Sequence, residues 1–157
     1  MPRLSETFET RLPIERAFAF VADFSNAQHW DPGVAWSHKL DEVSPRVGAR
    51  YQLGVRMGPR VASMEYRISH LEPDRRVVLD GTGPGVVAVD DISFQATPRG
   101  TRIEYVAQID LHGWLRLAQP FTGRAFAAIA RNAREGMLRT LDELADGDSQ
   151  PVEEQAA

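Results

Sequence analysis

The sequence predicts an α+β fold: one curved antiparallel sheet of seven strands, two short helices after the first strand, and a long C-terminal helix over one sheet face. Three observations lead there. Six consecutive runs between Val34 and Leu111 alternate apolar with polar residues, and Gly, Pro, Asp or Ser turns close them, the pattern of an antiparallel sheet with one wet face. In the last third the spacing changes to three and four, at Phe126, Ile129, Ala130, Ala133, Met137, Leu141 and Leu144, which form one stripe at about 100° per residue. That helix is the only element long enough to cover the sheet's apolar face.

Leu4 to Leu12 alternates loosely around Phe8 and reads as the first strand. Pro13 opens a helix as a favoured first-turn residue, with Ile14, Ala17, Phe18 and Val21 at helical spacing. Asp23–Asn26 breaks it, and Ser25 or Asn26 caps a second short helix to about Trp30. Asp31-Pro32-Gly33 is a turn. The strand runs then follow: Val34–Val43, Tyr51–Met57, Val61–Leu71, Arg75–Asp80, Val86–Ala96 and Thr101–Leu111. Gly81–Gly85 is read as the most flexible connection. From Leu111 to Ala145 one helix is expected, entered through Gly113-Trp114 and bent near Pro120. Residues 1–145 therefore form one domain, and 146–157, acidic with Pro151 and no apolar pattern, read as a disordered tail.

Composition removes several classes of function. Across 157 residues, 43% are hydrophobic and 25% charged, ordinary for a globular domain. A net charge of −4 argues against a nucleic-acid binder held by phosphate contacts. No apolar run is long enough to span a membrane. Met1–Glu6 carries an acid early without an apolar stretch, so no signal peptide is expected. The absence of cysteine excludes disulfides, thiol nucleophiles and thiolate metal sites, and a cytoplasmic location is the expectation. His29, His38, His70 and His112 show no i,i+4 pair and no HExxH pattern, so no metal or other cofactor is expected. Gly81–Gly85 lacks the Lys-Ser/Thr of a phosphate cradle, and no GxSxG marks a nucleophilic serine.

The order of elements, strand, two short helices, six strands, long helix, is that of the helix-grip fold. The chain also carries residues of a family. Leu12–Phe18 running into Asp23-Phe24, then Trp30–Val34, Tyr66-Arg67-Ile68 with Leu71–Val77, Gly100–Tyr105, and Leu111-His112-Gly113 leading to Pro120 occur in the family's order over residues 4–145. In these pieces the chain resembles the SRPBCC superfamily, the START and birch-allergen group, in its polyketide cyclase/dehydrase-like branch. The resemblance implies a deep apolar cavity between the concave sheet face and the long helix. In relatives that cavity takes lipids, sterols, polyketides or plant hormones, and a few members cyclise or dehydrate their ligand.

Strand parity places Tyr51, Tyr66, Tyr105, Asp90 and His38, with His70 at a strand end, on the concave face among Trp36, Met57, Met64, Phe94 and Ile109. The candidate ligand-binding residues are Trp36, Tyr51, Met64, Tyr66, Asp90, Phe94, Tyr105 and Ile109 of the sheet and Phe126, Ile129, Ala133 and Met137 of the helix. Tyr66, Asp90 and His38 are the candidates for acid–base work, because a buried Asp beside Tyr or His can hold a carbonyl or move a proton. Asp90-Asp91 is a pair, and a bulge would exchange which carboxyl faces inward. The plain alternative is amphipathic packing of the tyrosines and half-exposed histidines at strand ends. Trp30 reads as core, while Trp36 is either core or the lip of the entrance. Arg50, Arg56, Arg60 and Arg67 fall on the solvated face.

Three functions stay open at this point. The first is binding or transport of a hydrophobic small molecule, lipid or aromatic and polyketide-like, by a monomer or homodimer without stable membrane insertion. The second is a cofactor-free cyclase/dehydrase using cavity Tyr, His or Asp. The third is a protein-interaction or stress-related module whose cavity is collapsed around Phe94, Phe126 and Met137.

Overall fold

The computed structural model describes residues 2–149. β1 (Arg3–Thr10) leads to α1 (Ile14–Ala22), a 3-10 turn at Phe24–Asn26 and α2 (Ala27–Trp30). β2 (Val34–Lys39), β3 (Arg50–Met57), β4 (Arg60–Glu72), β5 (Arg76–Gly83), β6 (Val86–Thr97) and β7 (Gly100–Leu111) follow, and a 3-10 segment at Gly113–Phe121 precedes α3 (Gly123–Asp148). All seven strands join one antiparallel sheet in the order β1-β7-β6-β5-β4-β3-β2. Consecutive strands from β2 to β7 form a meander. The two helices after β1 carry the chain from one sheet edge to the other.

The sheet wraps a core that is solid at one end only. Leu12, Val21, Ile68, Leu79, Ile92, Ile103, Met137 and Leu141 are essentially inaccessible there, each contributing roughly 1.5–3 kcal/mol by leaving water. α1 seals this end, with Phe18 edge-on to Phe94 at 5.3 Å. The buried stripe of α3, Ala130, Ala133, Met137, Leu141 and Ala145, follows the predicted face. Gly136 is required where α3 crosses α2: a Cβ there would overlap the Trp30 carbonyl oxygen. Thr140 Oγ1 also donates to the His29 carbonyl at 3.1 Å.

Four expectations change. The C-terminal third is not one bent helix but a 3-10 segment followed by a separate α-helix. Pro120 cannot donate, so the ladder cannot run through it; Thr122 Oγ1 closes onto the Gln119 carbonyl at 2.8 Å, and α3 starts afresh with Phe126 N–H on Thr122 O at 2.9 Å. The helix also continues to Asp148, three residues into the stretch assigned to a tail, and its end is fastened by Arg11–Asp146 and Arg16–Asp148 pairs; residues 150–157 lie outside the described residues. Third, Gly81–Gly83 is strand, not loop. Its inward positions need glycine because neighbouring side chains lie across them: a Cβ at Gly81 would come within 2.6 Å of the Tyr66 ring, and one at Gly83 within 2.6 Å of Met64. Finally, register shifts between Val34 and Trp36 and between Ile68 and His70 interrupt the alternation. Each inserts a residue and turns the side chains beyond it to the opposite face.

Candidate functional site

At the end of the sheet away from α1, the concave face and α3 do not meet, and a cavity of about 380 Å³ lies between them. Its sheet wall is Leu53, Val55 and Met57 of β3, Met64 and Tyr66 of β4, Val86, Ala88 and Asp90 of β6, and Tyr105, Ala107, Ile109 and Leu111 of β7, with Leu4 of β1. Ala125, Phe126, Ile129, Ala130 and Ala133 of α3 and Leu115 and Ala118 of the 3-10 segment form the opposite wall. Small side chains on α3 leave the room. Ile129, 43% exposed although it faces the cavity, marks the mouth. Along each strand the lining gives way to solid core: beyond Tyr66, Asp90 and Tyr105 the next inward residues are Ile68, Ile92 and Ile103, each fully buried. The three polar residues therefore stand at the floor.

Asp90 is 6% exposed and takes the hydroxyl hydrogen of Tyr105 on its Oδ1. Burial pushes its carboxyl up to about 7; the Tyr105 hydrogen bond opposes that rise and the nearby charge of Asp31 adds to it. Asp31, in the turn after α2, also faces the cavity. Its Oδ1 accepts from Gly33 N–H at 2.8 Å, and burial raises its carboxyl to about 6 against that bond. Tyr66 and Tyr105 are held well above the ordinary phenol range, chiefly by burial and then by the Asp90 and Asp31 charges. The Tyr66 hydroxyl has no hydrogen-bond partner among the described residues. Arg56 reaches the rim, where its Nε donates to the Pro32 carbonyl at 3.2 Å. Among the described residues neither Asp90 nor Asp31 has an ion-pair partner.

The structure brings eight of the sequence candidates together around this space: Met64, Tyr66, Asp90, Tyr105, Ile109, Phe126, Ile129 and Ala133. It places the others elsewhere. The β2 bulge turns Ser37 inward, where its hydroxyl donates to Ser25 O at 2.6 Å, and sends Trp36 and His38 to the convex face. There they stack at 5.3 Å, the indole lying over Gly54. His38 is thus removed from any chemistry in the cavity. His70 is likewise turned out by the β4 bulge, opposite Val78, and meets Glu72 at 2.9 Å. Tyr51, Phe94 and Met137 belong to the packed core. Tyr51 is 1% exposed beside Phe24, and burial pushes its hydroxyl up to about 12. Phe94 and Met137 thus do not fill the cavity, and Phe126 lines it. β6 pairs without interruption, so Asp90 faces in while Asp91 faces out to Arg76 at 2.7 Å. Trp30 packs edge-on to Tyr105 at 6.1 Å in the core, as expected.

Asp31 escapes sequence reasoning. Asp-Pro-Gly reads only as a turn, which it is, with the carboxylate capping its own turn. The signal that could have found it is its position directly after Trp30, at the end of a short helix whose buried face looks toward the sheet.

Two carboxyls that titrate near neutrality can each supply or take a proton at physiological pH, and the apolar walls would orient an elongated body against them.

Comparisons place the fold among known ones. A sequence model of the family described as polyketide cyclase / dehydrase and lipid transport matches residues 1–146. No curated protein matches the chain in sequence. Among solved structures, the Zhui aromatase/cyclase of a Streptomyces is similar with a TM-score of 0.74 at 13% identity, over 95% of this chain and 96% of that one. A protein of Thermus thermophilus gives 0.72 at 13% identity over 95% and 100%, and a START superfamily protein of Mycobacterium smegmatis 0.71 at 14% over 94% and 99%. At such identities these likenesses establish the fold alone. No described helix is long and apolar enough to cross a membrane.

Proposed function

Because this chain belongs to the polyketide cyclase/dehydrase and lipid transport family, we propose that its cavity takes up a hydrophobic small molecule, lipid or aromatic and polyketide-like, with that molecule's polar group at the Tyr66–Asp90–Tyr105 floor. The observation that carries this reading is the open space of about 380 Å³ with apolar walls and a polar end, within the range of roughly 300–1,000 Å³ usual for small-molecule sites. Native mass spectrometry of freshly purified protein, followed by solvent extraction, tests it. A co-purified apolar compound, or saturable uptake of the neutral dye Nile red, is expected. No bound mass and no dye uptake would refute the reading.

A second reading rests on Asp90 and Asp31, whose carboxyls lie at about 7 and about 6. In it the pair performs acid–base work on a bound poly-keto chain: a protonated carboxyl donates to a ketone oxygen while an ionised one accepts a carbon-bound proton, as cyclisation or dehydration requires. Asp90→Asn and Asp31→Asn should then abolish turnover of an identified substrate while the variants stay folded by far-UV circular dichroism. Turnover surviving both changes would remove these residues from the mechanism.

A further inference from the structure

Resting on the ligand-binding reading above, we infer that the cavity selects apolar molecules that end in an amine, whose N–H donors meet the Asp90 and Asp31 carboxylates and the Tyr66 hydroxyl presented to it. Asp90 and Tyr66 are 6% and 7% exposed, and both face the cavity. Among the described residues the only hydrogen bond to the Asp90 carboxylate comes from Tyr105 and goes to Oδ1, leaving Oδ2 without a donor. Asp31 receives Gly33 N–H on Oδ1, and its Oδ2 is likewise free among the described residues. Tyr66 Oη has no partner among them either. None of these atoms is sealed off: the buried side-chain polar atoms without a partner among the described residues are Trp30 Nε1 and Tyr51 Oη, so Asp90, Asp31 and Tyr66 stay open to the cavity they line. Two carboxylates without a cation in an apolar space favour a ligand that brings donors and a positive charge.

An ammonium has three donors and no acceptor. A carboxylate or phosphate brings acceptors only, and adds negative charge where that of Asp31 already raises the Asp90 carboxyl. A ketone accepts but cannot donate, and an alcohol donates once. The groups facing the cavity support the same choice. β6 and β7 contribute Asp90 and Tyr105, β4 Tyr66, and the turn after α2 Asp31; β1, β2, the 3-10 segment and α3 present Leu4, Val34, Leu115, Ala118, Thr122 and uncharged residues of the α3 wall. Arg56, engaged at the rim with Pro32 O, is the only basic residue among the described residues lining the space.

The test is competition against Nile red on the full chain by decylamine, decanol and decanoate, which share one apolar tail. Decylamine should displace the dye at concentrations lower by on the order of tenfold or more than either of the others, the strength of a charge-assisted bond away from water. Asp90→Asn and Asp31→Asn should each reduce that advantage, decylamine being compared with decanol within each variant so that any change in dye affinity cancels, and far-UV circular dichroism reports that the variants are folded. In the unaltered protein the advantage should shrink as the pH falls below about 6, where both carboxyls hold protons. Equal competition by the three compounds, or stronger competition by decanoate, overturns the amine preference and leaves the cavity reading standing. An amine advantage that neither variant nor acid reduces also overturns it. Failure of Nile red and of every compound to bind refutes the cavity reading itself, and the preference with it.

Discussion

Tyr105 on β7 donates its phenolic hydrogen to Asp90 on β6, a diagonal contact across paired strands in which Asp90 sits opposite Ala107 and Tyr105 opposite Ile92. The bond favours the ionised form of a carboxyl that burial otherwise neutralises. Tyr105→Phe removes the donor and keeps the ring against Trp30. It should cost on the order of 1–2 kcal/mol in urea unfolding and move the Asp90 titration, followed by carboxyl NMR, further up. A titration unmoved by the change would mean that the tyrosine does not hold the acid.

The raised carboxyls fix the sign of a pH dependence. Asp90 titrates at about 7 in the folded chain against an ordinary 3.8, so between those values the folded state binds more protons than the unfolded one. Stability from this group is fully present below about 4 and is lost as the pH rises through about 7; Asp31 acts in the same direction through about 6. Asp90→Asn mimics the protonated acid. The variant should match the parent below about pH 4, gain on it as the pH rises, and above neutrality be the more stable of the two by up to a few kcal/mol. Parallel urea midpoints across that range would show that Asp90 is not held protonated.

The element order, the strand faces of β6 and β7 and the lid helix are legible in the sequence because their alternation is unbroken. Parity carries Asp90, Tyr105 and Ile109 from sequence to cavity wall. It fails on β2 and at the end of β4, where a single inserted residue inverts the faces and nothing in Val34-Ala35-Trp36 or Ile68-Ser69-His70 announces it. Phe94 and Met137 lie on the expected face but at another depth. A face is written in the period of a sequence, whereas the boundary between cavity and solid core depends on where α1 and α3 close on the sheet.

The outward-turned tryptophan supplies its own test. Trp36 covers Gly54 on the convex face, so Trp36→Ala should lower stability modestly while Nile red affinity stays that of the parent, and His38→Ala should behave likewise. A loss of dye affinity in either would bring the convex face into ligand binding.

Occupancy of the cavity can be challenged from its wall. Ala107 lines the space from β7, opposite Leu4 on β1 and Asp90 on β6, and is only half-buried. Ala107→Leu puts a branched side chain where there is a methyl, and the room to receive it already exists. Filling such a space removes apolar surface from solvent, so the variant should be as stable as the parent or more so, by up to about 2 kcal/mol. Nile red and decylamine, which need that volume, should bind on the order of tenfold more weakly. The opposite signs of the two effects separate a ligand site from a packing defect. A variant that loses stability would show that Ala107 abuts solid core, and one that keeps full affinity would place the ligand elsewhere.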